Sequence, residues 1–124
     1  CTLLVIKATN SSIFGSYTEN TWVAKPSMYG SGRAFVYRII DDEAEIYKWT
    51  GANRQIQHVD KTKERLAVGG GGNSSFGLCV EDAFQRGTTS RCDTFDNKPL
   101  CDGYDGTFQI VDMECYGFLR GSFE

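Results

Sequence analysis

Residues 65–80 read RLAVGGGGNSSFGLCV, and in this stretch four consecutive glycines separate two apolar segments of strand character. Glycine has no Cβ, so it reaches backbone angles that clash for other residues and lets another group approach the main chain. The stretch predicts a tight turn between two strands. We expect positive φ, or a group pressed against the backbone, at one or more of Gly69, Gly70, Gly71 and Gly72.

Phosphate binding is the alternative use of such a run. A P-loop places Lys and then Ser or Thr after its last glycine and then begins a helix, whereas here Asn73 follows and strand character returns at Phe76. A dinucleotide-binding fingerprint also needs a helix after the glycines, and no helical pattern begins there. The turn is therefore the favoured interpretation.

Strand and turn patterns alternate along the rest of the chain. Further strands are predicted at 2–8, 13–18, 33–40, 44–49, 55–59 and 107–116. Residues 60–64 are expected to form a charged loop or one helical turn, and residues 81–87 a helical turn closed by Gly87. One face of the last strand is nearly all apolar and is predicted to face the core, with Val111, Met113 and Cys115 on it. The fold class that follows is mostly β, a two-sheet antiparallel β-sandwich.

Composition limits the function classes. The chain has 124 residues, 40% of them hydrophobic and 13% aromatic, which suits a single domain over residues 1–124. A net charge of −3 gives no basic footprint for nucleic acid. No apolar run approaches the about 18 residues of a membrane span, so membrane insertion is not expected. Because the chain begins at Cys1 in strand character, we interpret it as part of a longer polypeptide.

The five cysteines, Cys1, Cys79, Cys92, Cys101 and Cys115, include no Cys-x-x-Cys pair. Free thiols in a reducing, cytoplasmic environment are the plain interpretation. Cys92 has a second one, because it follows Arg91 and lies near Arg86, and cationic neighbours lower a thiol pKa and raise its reactivity. It is either a redox-active thiol or a small apolar group packed under its loop.

Candidate catalytic groups are few. His58 is the single histidine and has no partner evident in sequence, so a surface position is expected. The acids Glu81, Asp82, Asp93 and Asp96 lie in loop-like sequence, where solvation or turn capping is the usual role. The segment DGYDG at 102–106 lacks the ligand spacing of a calcium loop. We therefore expect no metal, no cofactor and no enzyme activity.

Several segments, taken in order, resemble the TLDc domain family of oxidation-resistance proteins. LLVIK at 3–7 and IFGSY at 13–17 resemble its opening hairpin, and YGSGRAFVY at 29–37 resembles a Gly-x-Gly strand entry. YKWTGAN at 47–53, the glycine run with FGL at 76–78, RGTTSRCDTFDN at 86–97 and FQIVDMECYGF at 108–118 match further family motifs. Six weak matches in the right order make the resemblance specific over nearly the whole chain.

Two departures from the family pattern matter. The family's domain usually begins some forty residues earlier with helices, so residues 1–124 are expected to be a fragment that lacks its N-terminal helices and exposes an apolar patch. The family often has glutamate after Gly-x-Gly, and this chain has Arg33. Any role of that acid does not carry over.

The resemblance implies a non-enzymatic protein-interaction module. TLDc proteins bind and regulate the vacuolar-type proton ATPase and are linked to oxidative-stress resistance. The partners implied are subunits of that V-ATPase and other domains of the same longer chain, at cytoplasmic surfaces of vesicle, lysosomal or vacuolar membranes. A thiol-based antioxidant, or a structural subunit of a larger assembly, is the alternative.

The expected contact surface is one end of the sandwich, where backbone groups of small residues are accessible and an aromatic side chain can anchor a contact. It combines Gly69, Gly70, Gly71, Gly72, Arg86, Gly87, Thr94, Phe95 and Asn97. Phe95 has an equally plausible role, in which it turns inward and holds the loop in place.

Overall fold

The structure is a computed structural model, and it describes residues 1–71, 76–101 and 106–117. It contains nine β-strands and no helix within these ranges. The strands are β1 (Thr2–Ala8), β2 (Ile13–Thr18), β3 (Phe35–Ile40), β4 (Glu43–Lys48), β5 (Gln57–Asp60), β6 (Arg65–Val68), β7 (Leu78–Glu81), β8 (Arg86–Thr89) and β9 (Thr107–Gly117). The prediction of a mostly β fold is confirmed.

The strands form one antiparallel sheet in the order β4-β3-β2-β1-β9-β8-β7-β6-β5. We expected two separate sheets, but hydrogen bonding is continuous because β9 pairs with β1 through its C-terminal part and with β8 through its N-terminal part. An 11-residue strand is long enough to serve both neighbours. We call β1 to β4 the first half and β5 to β8 the second half.

A single hydrophobic core joins the two halves. Ile6, Phe14 and Val36 of the first half belong to the same buried cluster as strand residues of the second half. The ring of Phe14 meets the ring of Phe108 on β9 edge-on, with centroids 4.8 Å apart. Second-half strands contribute Val68, Leu78 and Val80. Burial of these side chains is the main stabilising term of the fold.

The glycine run does join two antiparallel strands, as predicted. Leu66 of β6 pairs with Val80 of β7, and Val68 pairs with Leu78. The connection is not a tight turn, because it extends from residue 69 to residue 77. Gly72 and residues 73–75 lie outside the described residues.

The helical turn expected at 81–87 is a β-hairpin turn instead, and of the two alternatives at 60–64 the charged loop is the one observed, also as a hairpin turn. Gln85 donates its backbone N–H to the carbonyl of Asp82 at 3.2 Å, which closes the turn between β7 and β8, and Gly87 lies inside β8 rather than after a helix. Residues 61–64 connect β5 and β6, with the backbone N–H of Lys63 donating to Asp60 Oδ1 at 3.2 Å. Cross-strand pairing determines the local conformation at both places.

The prediction for the buried face of β9 is wrong for two of its three residues. Val111 is 62% exposed and Cys115 is exposed, whereas Met113 is partly buried against the core. Phe108 is the deeply buried residue of β9, at 6% exposure.

A β-bulge explains this difference. Lys7 pairs with Asp112 and Ala8 pairs with Ile110, so Val111 is an extra residue opposite β1. An extra residue reverses the alternation of side chains along a strand. Ile110 packs against the core before the bulge and Met113 does so after it.

The outward face of the first half carries several apolar side chains. Tyr17 and Phe35 stack there with centroids 5.3 Å apart. Ile13, Ile46 and Tyr116 are exposed by 37%, 50% and 47%. That helices outside residues 1–124 cover this apolar face remains a prediction.

Candidate functional site

The 91–97 loop lies directly against the glycine run. The backbone N–H of Gly70 donates to Thr94 Oγ1 at 2.9 Å, and the carbonyl of Gly70 accepts the N–H of Asp93 at 3.1 Å. Gly69 donates its N–H to the carbonyl of Ile56 at 2.8 Å. These bonds join the glycine run, the 91–97 loop and the segment before β5 into one unit.

The glycines are required at these positions by conformation and by space. Gly69 and Gly71 have φ of 77° and 84°, which confirms the expectation of positive φ. A Cβ on Gly69 would lie 2.7 Å from Cys92 Sγ, and a Cβ on Gly70 would lie 2.5 Å from Gln55 Oε1. The run therefore lets the 91–97 loop pack against the main chain.

Thr94 and Asn97, two of the predicted contact residues, are buried and shape the loop. Thr94 Oγ1 is 2.7 Å from Asn53 Oδ1, to which it donates. Asn97 Nδ2 donates to the carbonyls of Ser90 at 3.0 Å and Lys98 at 2.9 Å. Thr94 has no exposed surface and Asn97 has 1%. Their side chains hold the loop together and leave almost no surface for contact with another molecule.

Cys92 and Phe95 face inward. Cys92 has no exposed surface, and its Sγ lies 3.2 Å from Asn97 Oδ1. Burial raises the pKa of the Cys92 thiol and outweighs the opposite effects of backbone hydrogen bonds and of Arg91. A raised pKa disfavours the reactive thiolate, so the packing interpretation fits and the redox interpretation does not. Phe95, at 2% exposure, takes the inward role.

Arg86 and Gly87 do not join this cluster. They begin β8, whereas the 91–97 loop follows the other end of that strand. Arg86 Nε lies 3.8 Å from Asp82 Oδ2, in an exposed ion pair. Gly87 is buried in the sheet, where a Cβ would lie 2.1 Å from the carbonyl oxygen of Cys79. The expected single surface is therefore divided between the two ends of β8.

A pocket of about 510 Å³, lined by polar and apolar atoms in nearly equal measure, adjoins Arg86. Its lining includes Thr9, Thr88, Thr107 and Gln109.

The 91–97 loop also carries an exposed cluster of ion pairs that was not predicted from the sequence. Arg91 donates from Nη1 to Asp93 Oδ1 and from Nε to Asp96 Oδ1, both at 2.9 Å. These hydrogen bonds raise the pKa of Arg91. The spacing of Arg91, Asp93 and Asp96 in the sequence was the available signal, because side chains two and five residues away can reach one guanidinium in a compact loop.

A second segment completes this surface. Thr50 donates its N–H to the carbonyl of Thr94 at 2.9 Å and its hydroxyl to the carbonyl of Asp93 at 2.8 Å. Arg54 lies over the ring of Trp49 at 5.6 Å. We call Thr50, Arg54, Arg91, Asp93 and Asp96 the loop-end surface.

Comparison with known proteins bears on this arrangement. The TLDc domain model matches residues 1–119. The chain belongs to the TLDc family. Both the glycine run and the 91–97 loop lie within the matched residues.

Three relatives illustrate the range of TLDc proteins that resemble this chain. Nuclear receptor coactivator 7 of Gallus gallus is 34% identical over 94% of the chain and 12% of the relative. Oxidation resistance protein 1 of Bos taurus is 33% identical over 94% and 13%. The GTPase-activating protein skywalker of Drosophila melanogaster is 28% identical over 95% and 22%. The chain thus spans less than a quarter of each relative.

The remaining candidate groups of this TLDc domain do not assemble into a catalytic constellation in the part of the chain that the structure describes. His58 Nε2 lies 2.8 Å from the carbonyl oxygen of Lys25, in an exposed contact that holds the 20–29 loop to β5. Asp93 and Asp96 are paired with Arg91, and Asp82 is paired with Arg86. The segment 102–105, which includes Asp102 and Asp105, lies outside the described residues.

Two further features are absent from the same ranges. The described residues contain no group of three or more His, Cys, Asp or Glu side chains placed to hold a metal ion. They also contain no helix long and apolar enough to cross a membrane.

Proposed function

We propose that this TLDc domain is a non-enzymatic interaction module that binds the vacuolar-type proton ATPase at cytoplasmic membrane surfaces and thereby contributes to resistance against oxidative stress. Membership of the TLDc family supports the proposal, as does the name oxidation resistance protein 1 borne by a relative. The observation that carries it is the fixed loop-end surface, which stands on the Gly70–Thr94 hydrogen bond.

A surface that is fixed before binding loses little conformational entropy when a partner arrives. Arg91 is already oriented by two carboxylates, and Thr50 is anchored to the 91–97 loop by two hydrogen bonds. Arginine is also enriched at protein interfaces and among their dominant contact residues. A surface of this kind suits recognition of another protein better than it suits chemistry on a small molecule.

Thiol chemistry has little support as the alternative. Cys79 and Cys92 are buried, and burial raises the pKa of both, to about 11 for Cys79. A thiol with a raised pKa is a poor nucleophile toward peroxide at neutral pH. GTPase activation appears in the name of a relative of which this chain spans 22%, and we propose no such activity here.

The test is a binding titration of the purified domain against the purified peripheral sector of the vacuolar-type proton ATPase. The variant Arg91→Glu reverses the central charge of the loop-end surface. The matched control is Arg33→Glu, because the Arg33 side chain is 76% exposed, pairs with Glu19 and is not part of the loop-end surface. We expect Arg91→Glu to weaken binding at least about tenfold, which is about 1.4 kcal/mol, and Arg33→Glu to bind as the unchanged domain does.

Equal binding by both variants would remove the loop-end surface from the proposal. No binding by the unchanged domain, together with peroxide consumption that Cys92→Ala abolishes, would favour the antioxidant alternative instead.

A further inference from the structure

The two edge strands of the sheet differ in the hydrogen bonding of their outer backbone groups. β5 forms one edge, and its Gln57 exchanges two backbone hydrogen bonds with Tyr29 at 2.8 Å and 2.9 Å. β4 forms the other edge. No further described backbone group hydrogen-bonds to the outer side of β4 between Glu43 and Lys48. With respect to the residues that the structure describes, β4 is therefore an open edge along its length.

The turn before β4 determines which of its backbone groups are open. Ile40 pairs with Glu43 across the two-residue turn of Asp41 and Asp42, whose φ values are 52° and 65°. In a hairpin with such a turn, the residues that flank the turn exchange both hydrogen bonds, and the pattern then alternates. Glu43, Glu45 and Tyr47 therefore direct their N–H and C=O groups toward β3.

Ala44, Ile46 and Lys48 direct theirs outward. Thr50 continues this alternation, and its N–H is taken by the carbonyl of Thr94 at 2.9 Å. The open edge thus consists of three residues with free backbone groups and ends where the 91–97 loop begins to pair.

Acidic side chains outnumber basic ones along this edge and in the turn before it. Four carboxylates lie within five residues, and all are exposed: Asp41, Asp42, Glu43 and Glu45. Ile46, at 50% exposure, lies on the opposite face of β4 from Glu45, because successive side chains alternate. The edge therefore presents Glu43 and Glu45 on one face, where Glu45 accepts the Tyr47 hydroxyl, and Ala44, Ile46 and the cationic Lys48 on the other.

Natural sheet edges are protected by proline, bulges, short length or charged side chains, lysine in particular. β4 has six residues, no proline, and a continuous register with β3 from Phe35 opposite Lys48 to Ile40 opposite Glu43, so its protection is the charge of Glu43, Glu45 and Lys48. An edge protected by charge alone repels strands of like charge and is available to a strand of complementary charge.

We propose that the open edge of β4 binds an extended basic segment of a partner protein, which adds as a tenth, antiparallel strand. Its Lys or Arg side chains lie opposite Glu43 and Glu45, and its aliphatic side chains lie opposite Ala44 and Ile46. Cross-strand pairs of opposite charge stabilise such an addition, whereas a second copy of this chain would bring the same four carboxylates. This edge adjoins the loop-end surface at Thr50 but shares no residue with it, so the proposal goes beyond the proposed function.

The first experiment uses two synthetic peptides, an alternating Lys-Val hexapeptide and an alternating Glu-Val hexapeptide, each capped at both ends. Fluorescence anisotropy measures their binding to the domain, and NMR measures amide hydrogen exchange. We expect the Lys-Val peptide to bind at least about tenfold more tightly, with binding weakened by salt because the charges are exposed. We also expect slower exchange at the amides of Ala44, Ile46 and Lys48.

Two variants distinguish the contribution of backbone hydrogen bonds to binding from that of side-chain charges. Ile46→Pro removes an outward N–H and is tolerated at a sheet edge, so it should abolish binding while the domain still melts cooperatively. Glu43→Lys with Glu45→Lys should reverse the preference toward the Glu-Val peptide. The matched control is Asp112→Lys with Glu114→Lys, which makes the same charge change on the part of β9 that pairs with β1, away from the β4 edge.

Three results would overturn the proposal. Equal binding of the two peptides would exclude the charge complementarity, and unchanged exchange at the three outward amides would exclude strand addition. Concentration-dependent dimerisation that protects the same amides without peptide would show that a second copy occupies the edge. If Ile46→Pro does not fold, the charge reversal and the amide exchange still decide the outcome. Loss of pump binding in Arg91→Glu leaves this edge unaffected, so the two proposals fail separately.

Discussion

The hydroxyl of Thr94 accepts the backbone N–H of Gly70 at 2.9 Å, and both residues are buried. The same oxygen donates to Asn53 Oδ1 at 2.7 Å, so one side chain joins three segments that are far apart in the sequence. Buried polar groups that are fully paired hold a unique arrangement, and the loss of one partner leaves others unpaired. The main role of the glycine run is therefore to hold the loop-end surface in its folded conformation.

Replacement of Thr94 by valine should destabilise the domain by about 1–3 kcal/mol, because it leaves the buried Gly70 N–H without its partner and removes the bond to Asn53 Oδ1, which keeps the N–H of Gln55. Chemical denaturation measures the free energy of unfolding. Thr21→Val is the matched control, since Thr21 is exposed, and its effect should stay within about 0.5 kcal/mol. Equal stability of the two variants would show that the Thr94 bonds contribute nothing to the fold.

Alanine at Gly69 should cost more stability than alanine at Gly51. The two glycines have similar φ, 77° and 84°, so the backbone strain of alanine is matched. A Cβ at Gly51 meets nothing within 4 Å, whereas a Cβ at Gly69 would lie 2.7 Å from Cys92 Sγ. Overpacking of this kind costs about 1–3 kcal/mol beyond the strain. Equal free energies of unfolding would contradict the close packing of the 91–97 loop on the glycine run.

On β9, Val111→Asp should change the free energy of unfolding by no more than about 0.5 kcal/mol, since the side chain is 62% exposed. Phe108→Ala should cost about 3–5 kcal/mol, because the ring is buried against Phe14. Thermal melting of both variants checks the assignment. An unfolded Val111→Asp variant would restore the face that the sequence pattern predicted.

Reagent accessibility should separate the cysteines of the folded domain. The thiolate is the reactive form, and burial raises the pKa of Cys92, so Cys92 should remain unmodified by an aromatic disulfide reagent at neutral pH. Cys115 is exposed and should react. Mass spectrometry of the digested protein assigns the modified residues. Modification of Cys92 at the rate of Cys115 would revive the redox interpretation.

Local patterns predicted much of the strand content, and tertiary pairing explains the failures. The strands at 2–8 and 13–18 were predicted with the observed bounds because their residues are apolar or β-branched. β8 was missed, since RGTT shows no apolar alternation and becomes a strand by pairing with β7 and β9. The bulge at Val111 is one inserted residue and leaves no trace in a pattern of period two.

The candidate site was harder to predict than the strands. The Gly70–Thr94 bond joins residues 24 apart in sequence, and nothing local signals it. Residue type suggested that Thr94 and Asn97 were exposed contact residues, whereas their hydrogen bonds to buried backbone groups place them inside. Polar residues can be buried when they are paired, so composition alone could not separate a loop's surface from its interior.

The stability of the domain should fall in alkali, and Cys79 should account for part of the loss. Burial raises the pKa of this thiol from 9.0 to about 11 in the folded state. Folding therefore favours the neutral thiol, and its contribution is complete below pH 9.0 and declines as pH rises toward 11. A pKa that is higher by about two in the folded state than in the unfolded state corresponds to roughly 2–3 kcal/mol in the free energy of unfolding.

Unfolding titrations of the unchanged domain and of Cys79→Ala, at about pH 8 and about pH 11, measure this part. The alkaline loss should be smaller by roughly 2 kcal/mol in the variant. Tyr37, whose pKa burial raises to about 12, acts in the same direction in both proteins and cancels in the comparison. Cys115→Ala is the control, because it removes a thiol that lies on the surface and not in the core. A pH profile of Cys79→Ala that parallels the unchanged domain would show that the Cys79 thiol titrates alike in both states.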